Sequence, residues 1–190
     1  MTYAAALALL LLALLCRDGV GGVGDVKQSG VSDATDVTHR MLLPADLEVG
    51  WWLLEARHSQ QCLGVLNWDQ LNGGNVVQGK ACDTTNFKWK IKQVPGSTEY
   101  YHLIAQHSNQ CLGVLNLDQL NGANVVQGRA CDTPNFEWAF LEEKDGGYLV
   151  KARHSGQCLG VFLSSHHNGA NVVQGIACDT DNFIWDLKRP

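Results

Sequence analysis

The chain reads "NGGNVVQGKACDTTNFKW" from Asn72 to Trp89, "NGANVVQGRACDTPNFEW" from Asn121 to Trp138, and "NGANVVQGIACDTDNFIW" from Asn168 to Trp185. Internal repetition at a period just under fifty residues decides the architecture before any single residue does. Aligned on His58, His107 and His154, the copies extend upstream as well. Trp52, Tyr101 and Tyr148 are followed two positions on by Leu54, Leu103 and Val150, then by Ala56, Ala105 and Ala152. That period of two marks a strand with one buried face. Turn residues follow ("HSQQ", "HSNQ", "HSGQ"), then "CLGV" as a second strand and "NVVQG" as a third. Phe87, Trp89 and Ile91 alternate again and predict a fourth strand sending an aromatic pair inward, as do Phe136, Trp138 and Phe140, and Phe183, Trp185 and Leu187.

A unit of this size cannot bury its own aromatic face, so the three copies must share one core. Nothing in the repeat has a sustained helical period, and a propeller needs more blades. Twelve short strands in three equivalent sets, over repeats of about 50–95, 98–143 and 146–188, fit an all-β fold, a β-trefoil. This is a six-stranded barrel capped by three hairpins, within a domain of residues 50–190.

Six cysteines recur at one spacing: Cys62 with Cys82, Cys111 with Cys131, and Cys158 with Cys178. No pair has the close spacing of a zinc knuckle. One disulfide per repeat is the reading that fits, and it requires an oxidising compartment. Closing each loop stabilises by about 3 kcal/mol in the chain-entropy model. Six reduced structural thiols in a cytosolic protein is the alternative. The apolar run Ala4 to Leu15 is too short to span a bilayer and fits the core of a signal peptide, although no basic residue precedes it. Residues 1–24 are expected to be that signal, with mature protein beginning between Cys16 and about Ser32. Residues 25–49 are polar and aperiodic, a linker or propeptide. A net charge of −5 with no basic run argues against nucleic acid, and nothing implies stable membrane insertion.

The ordered motifs "HSxQCLGV", "NGANVVQ", Cys and "NFxW" resemble the repeat of ricin B-type lectins and related carbohydrate-binding modules. The resemblance covers all three repeats. It implies a shallow sugar pocket in each, made by an Asp two residues after the first Cys, a loop aromatic and an Asn near the closing motif. Here the Asp position is Gly64, Gly113 and Gly160, and the Gln of the family's closing Q-x-W is Phe87, Phe136 and Phe183. Lys80, Arg129 and Ile176 replace the family's usual aromatic. Gln78, Gln127 and Gln174 remain, as do Asn86, Asn135 and Asn182.

Substitute contacts are expected from the loop before "NG". In the first repeat Trp68 and Asp69 would supply a ring and a carboxylate; the second offers Asp118 without a ring, and the third has His166 nearby. The competing reading makes this loop a turn whose Asp side chains bond their own backbone. Asp83, Asp132 and Asp179 read as turn caps, and the three aligned histidines as structural hydrogen bonders. His166 and His167 are adjacent and make a poor metal pair. With no nucleophile–base set, phosphate loop or metal motif, the chain reads as a non-enzyme needing no cofactor or metal. The expected partners of this secreted protein are glycans or polysaccharides; a trefoil that has lost sugar binding and acts as a protein-binding or inhibitory module is the second reading.

Overall fold

The structure is a computed structural model that describes residues 45–190; the expected signal segment and most of the expected linker lie outside the described residues. Twelve strands form four per repeat: β1 (Leu53–Ala56), β2 (Gln61–Val65), β3 (Val76–Gly79) and β4 (Trp89–Gln93); β5 (Tyr101–Ala105), β6 (Cys111–Val114), β7 (Val125–Gly128) and β8 (Trp138–Glu142); β9 (Tyr148–Ala152), β10 (Cys158–Val161), β11 (Val172–Gly175) and β12 (Ile184–Lys188). Among the described residues the remaining elements are short 3-10 turns, and no helix is long and apolar enough to cross a membrane.

The outer strands close a barrel. β1 pairs with β12 (Leu54 opposite Leu187), β12 with β9, β9 with β8, β8 with β5, and β5 with β4. A bridge between Trp52 and Trp89 returns to the start. The other six strands make three hairpins, β2–β3, β6–β7 and β10–β11, in one register: Gly64 faces Val77, Gly113 faces Val126 and Gly160 faces Val173. The architecture is a β-trefoil.

Trp89, Trp138 and Trp185 are fully buried at equivalent positions of the shared core. Their indole N–H groups donate to the carbonyls of Leu63, Leu112 and Leu159 at 2.8, 2.9 and 2.9 Å, which satisfies the one polar atom each ring carries inward. Leu47, within the segment expected to be linker, is also part of this core, and its carbonyl accepts from the Trp52 indole at 2.9 Å.

The expected aromatic pair divides. Phe87, Phe136 and Phe183 stand before the fourth strands, in the 3-10 turns Thr85–Phe87, Pro134–Phe136 and Asp181–Phe183. They are buried, yet they pack beneath the hairpins instead of joining the barrel core. The alternation that placed them on a strand is real along the sequence, but each turn ends in a hydrogen bond back to its first residue, such as Lys88 N to Thr85 O, so pairing begins only afterwards.

Each repeat is locked to the next. The loop after β2 offers Asp69 O to His107 Nε2 (2.8 Å) and Gln127 Nε2 (2.6 Å), and Gln70 O to Gln110 Nε2 (2.8 Å). The second loop does the same for His154, Gln174 and Gln157, and the third for His58, Gln78 and Gln61. On the pseudo-threefold axis the side chains of Asn75, Asn171 and Asn124 close a triangle of amide hydrogen bonds at 2.8–2.9 Å. Disulfides join Cys62 to Cys82, Cys111 to Cys131 and Cys158 to Cys178, with Cα separations of 5.6, 5.7 and 5.8 Å.

Candidate functional site

After β2 the chain must turn sharply to leave the hairpin. It does so at Leu66–Trp68, where Asn67 and Trp68 both adopt left-handed backbone, with φ of 51° and 58°. Asn116 with Leu117, and Leu163 with Ser164, repeat the geometry. Two successive left-handed residues without glycine cost about 1–2 kcal/mol each, and the conformation points large apolar side chains at solvent. Trp68 is 50% exposed, Leu117 49% and Leu163 81%. The edge of Trp68 meets the ring of His107, with 6.2 Å between centroids.

Beside each turn lies a shallow depression, of about 290 Å3 in the first repeat, 230 Å3 in the second and 220 Å3 in the third. The phenylalanine of the 3-10 turn lines each one. In the first, Asn67, Trp68 and Lys80 come from the same repeat, and Asn168 and Gly169 from the third. Asn72 and Gly73 enter the second depression, and Asn121 and Gly122 the third. Each is therefore built across a repeat boundary. The asparagine of each "NG" holds that boundary shut: Asn168 Oδ1 accepts from Lys80 N, Asn72 Oδ1 from Arg129 N and Asn121 Oδ1 from Ile176 N, at 3.0, 2.9 and 3.1 Å.

The polar residues singled out from the sequence are placed unevenly. Gln78, Gln127 and Gln174 border the depressions but are fully buried, and their amides are consumed inside the fold. Gln78 accepts from the Ser59 hydroxyl (2.7 Å) and donates to the carbonyls of Ser165 (2.7 Å) and His167 (3.0 Å). Asn86 is 3% exposed; it donates to Val65 O at 2.8 Å and accepts from Thr84 Oγ1 at 2.7 Å, a pattern repeated by Asn135 and Asn182. Asp69 and Asp118 accept from the amides of Leu71 and Leu120 at 2.8 and 2.9 Å, the two-residue loop cap that competes with a ligand role. His166 is exposed and packs against His58 of the first repeat, 5.0 Å between ring centroids, away from the depression of its own repeat. Of the residues singled out as sugar contacts, only Trp68 combines exposure with a place in a depression. Among the described residues no group of three His, Cys, Asp or Glu side chains is gathered in a way that would hold a metal ion.

Reading one repeat at a time hides the contribution of Asn72, Asn121 and Asn168. The recurring "NG" marks them, but their partners lie 55 to 88 residues away along the chain.

Comparison with known proteins agrees with this geometry. The family described as Ricin-type beta-trefoil lectin domain-like matches residues 42–128, 85–175 and 134–189, three overlapping placements. The designed threefold-symmetric protein ThreeFoil is 36% identical, with 74% of this chain and 99% of that chain covered and a TM-score of 0.71. The Rhizoctonia solani agglutinin shares the fold at 20% identity, 78% and 98% coverage and a TM-score of 0.68. So does a Macrolepiota procera ricin B-like lectin solved with lactose, at 12% identity, 74% and 96% coverage and a TM-score of 0.64. No curated protein matches the sequence. The chain belongs to the ricin-type β-trefoil lectin domain-like family.

Proposed function

We propose that this chain is a secreted carbohydrate-binding protein with three shallow sugar sites, one in each depression, and no catalytic activity. The observation that carries the reading is the recurrence of one strained turn presenting an exposed apolar side chain beside one depression in every repeat. Strain that persists in all three copies is a marker of function. The Trp68 ring suits the C–H face of a pyranose, and Asn67 beside it offers an amide to hydroxyl groups. At the position of Trp68 the second site presents Leu117 and the third Ser164, with Leu163 beside it in place of Asn67, so affinity falls from the first repeat to the others. Weak single sites displayed threefold gain apparent affinity for clustered glycans through effective concentration. Lectin relatives and the three disulfides support an extracellular sugar-binding role.

The test is a broad panel of neutral and branched glycans, read by binding of the intact protein and by Trp68 fluorescence. Trp68→Ala is expected to lose most binding, while Asp69→Asn, which keeps the loop cap, is expected to bind as wild type does. Wild-type protein that binds no glycan overturns the reading. One observation favours a second reading, a protein-binding trefoil: the buried Gln and Asn amides and the capped Asp carboxylates leave little polar chemistry facing the depressions.

A further inference from the structure

Two of the three junctions between repeats carry a side-chain ion pair. Arg153 pairs with Glu137 where the second repeat meets the third, and Arg57 with Asp186 at 2.9 Å where the third meets the first. At the remaining junction the arginine position is Gln106, and β4 and the residue before it present Lys88, Lys90 and Lys92. Lys90 and Lys92 flank the fully buried Ile91, so both point outward. Alternate residues on a strand place their ammonium groups roughly 7 Å apart. Equivalent positions hold Ala139 and Leu141 in the second repeat, and Asp186 and Lys188 in the third, where Lys188 is bonded to Glu55. None of the three ion pairs among the described residues involves Lys90 or Lys92.

A groove of about 590 Å3 opens beside these lysines, lined also by Trp51, Ser97, Asn109 and Glu48. It is separate from the three depressions. The ring position of Trp51 is Tyr100 in the second repeat, where Arg153 covers it at 4.8 Å, and Gly147 in the third. Only the first repeat thus combines an uncapped ring position with unpaired lysines. The one carboxylate lining the groove, Glu48, is engaged by the backbone N–H of Gln93 at 2.7 Å.

We propose that this groove binds an acidic saccharide, one whose carboxylate or sulfate groups pair with Lys90 and Lys92 while a sugar ring rests against Trp51. The charge separation along β4 is close to the spacing of anionic groups on neighbouring sugar units. Ser97 and Asn109 supply neutral partners for hydroxyls, which a plain polyanion does not need. Because the chain as a whole is negative, attraction is local and is screened within a Debye length of about 10 Å at 0.1 M salt.

Full-length protein is titrated with dextran sulfate, polygalacturonate, unmodified dextran and polyglutamate at low and high salt. Dextran sulfate or polygalacturonate is expected to bind in a salt-sensitive way, and the arms separate sulfate from carboxylate. The double variant Lys90→Ala/Lys92→Ala is expected to weaken that binding at least about tenfold, the equivalent of about 1.4 kcal/mol. Lys188→Ala, at the equivalent but paired position, is expected to leave it unchanged. Polyglutamate binding as tightly as the acidic sugars removes the saccharide assignment, and equal binding by the double variant removes the site. Binding to dextran with no tighter binding to either acidic polymer removes this site while leaving the reading of the depressions intact, so the two readings fail separately.

Discussion

A Cβ added at Gly64 would stand 2.2 Å from Cδ1 of Phe87, far inside van der Waals contact with the ring. The same holds for Gly113 with Phe136 and for Gly160 with Phe183. The two departures from the lectin repeat, Gly for Asp and Phe for Gln, are therefore one change: the ring fills the place where the carboxylate's side chain would start. Gly64→Asp alone is expected to destabilise by about 1–3 kcal/mol through overpacking. Pairing it with Phe87→Gln is expected to recover stability, with a favourable coupling of roughly 0.5–3 kcal/mol. A double-mutant cycle by denaturant unfolding measures this, and strictly additive effects would separate the two positions.

Trp138→Ala is expected to cost about 3–5 kcal/mol, because it empties a fully buried site and orphans Leu112 O. Trp68→Ala is expected to cost under roughly 1 kcal/mol, because the ring is half exposed and Ala keeps the Cβ that makes the left-handed backbone costly. Equal losses in urea unfolding would contradict the placement of these two rings.

Gln127 links Ser108 of its own repeat to Asp69 O and Leu71 O of the first. Gln127→Leu matches its volume but removes three hydrogen bonds and leaves the Ser108 hydroxyl without its acceptor, while Asp69 O keeps His107 and Leu71 O keeps the amide of Gly74. A loss of about 2–4 kcal/mol is expected, from three lost bonds and the unpaired hydroxyl. The measurement is chemical denaturation of the intact domain; a change below 0.5 kcal/mol, on the order of an ordinary surface substitution, would show that the clasp is dispensable.

All six repeat cysteines are expected to resist alkylation in native protein and to react once reduced, as intact mass will show. Replacing Cys62 and Cys82 together by Ser is expected to cost about 2–4 kcal/mol. Alkylation of native Cys62 would refute the pairing.

His102 has its pKa lowered, first by burial and further by Lys92, against opposing pulls from Glu137 and a backbone hydrogen bond. The unfolded chain then binds a proton more readily than the folded one, so stability falls as pH drops from about 6.5 towards the lowered value. His102→Gln is expected to flatten that part of a melting-temperature profile. A profile with the wild-type slope would assign the acid sensitivity elsewhere.

The strand order was legible because each strand alternates and the pattern recurs three times; Leu54, Trp89 and Leu103 all bury where their spacing says they should. Phe87 misled because a 3-10 turn can continue a two-residue rhythm by accident. Gln78 and Asn86 looked like ligand groups because polar residues beside a turn usually face water. The partners of Gln78, the carbonyls of Ser165 and His167, belong to the third repeat, and spacing within one repeat carries no trace of that; Asn86 turns inward to Val65 O, at the end of β2 in its own repeat.

The handover of each loop to the following repeat makes the molecule a closed circuit, in which the third repeat completes the first. Such a circuit has no intrinsic beginning. Leu53 and Lys188 lie side by side on neighbouring strands, so the seam between the first and last strands of the domain is only where the circle happens to be cut. A circularly permuted gene opened between the first and second repeats should yield the same domain, whereas deleting any one repeat leaves one loop with nothing to clasp, one repeat unclasped and no route to a smaller closed form.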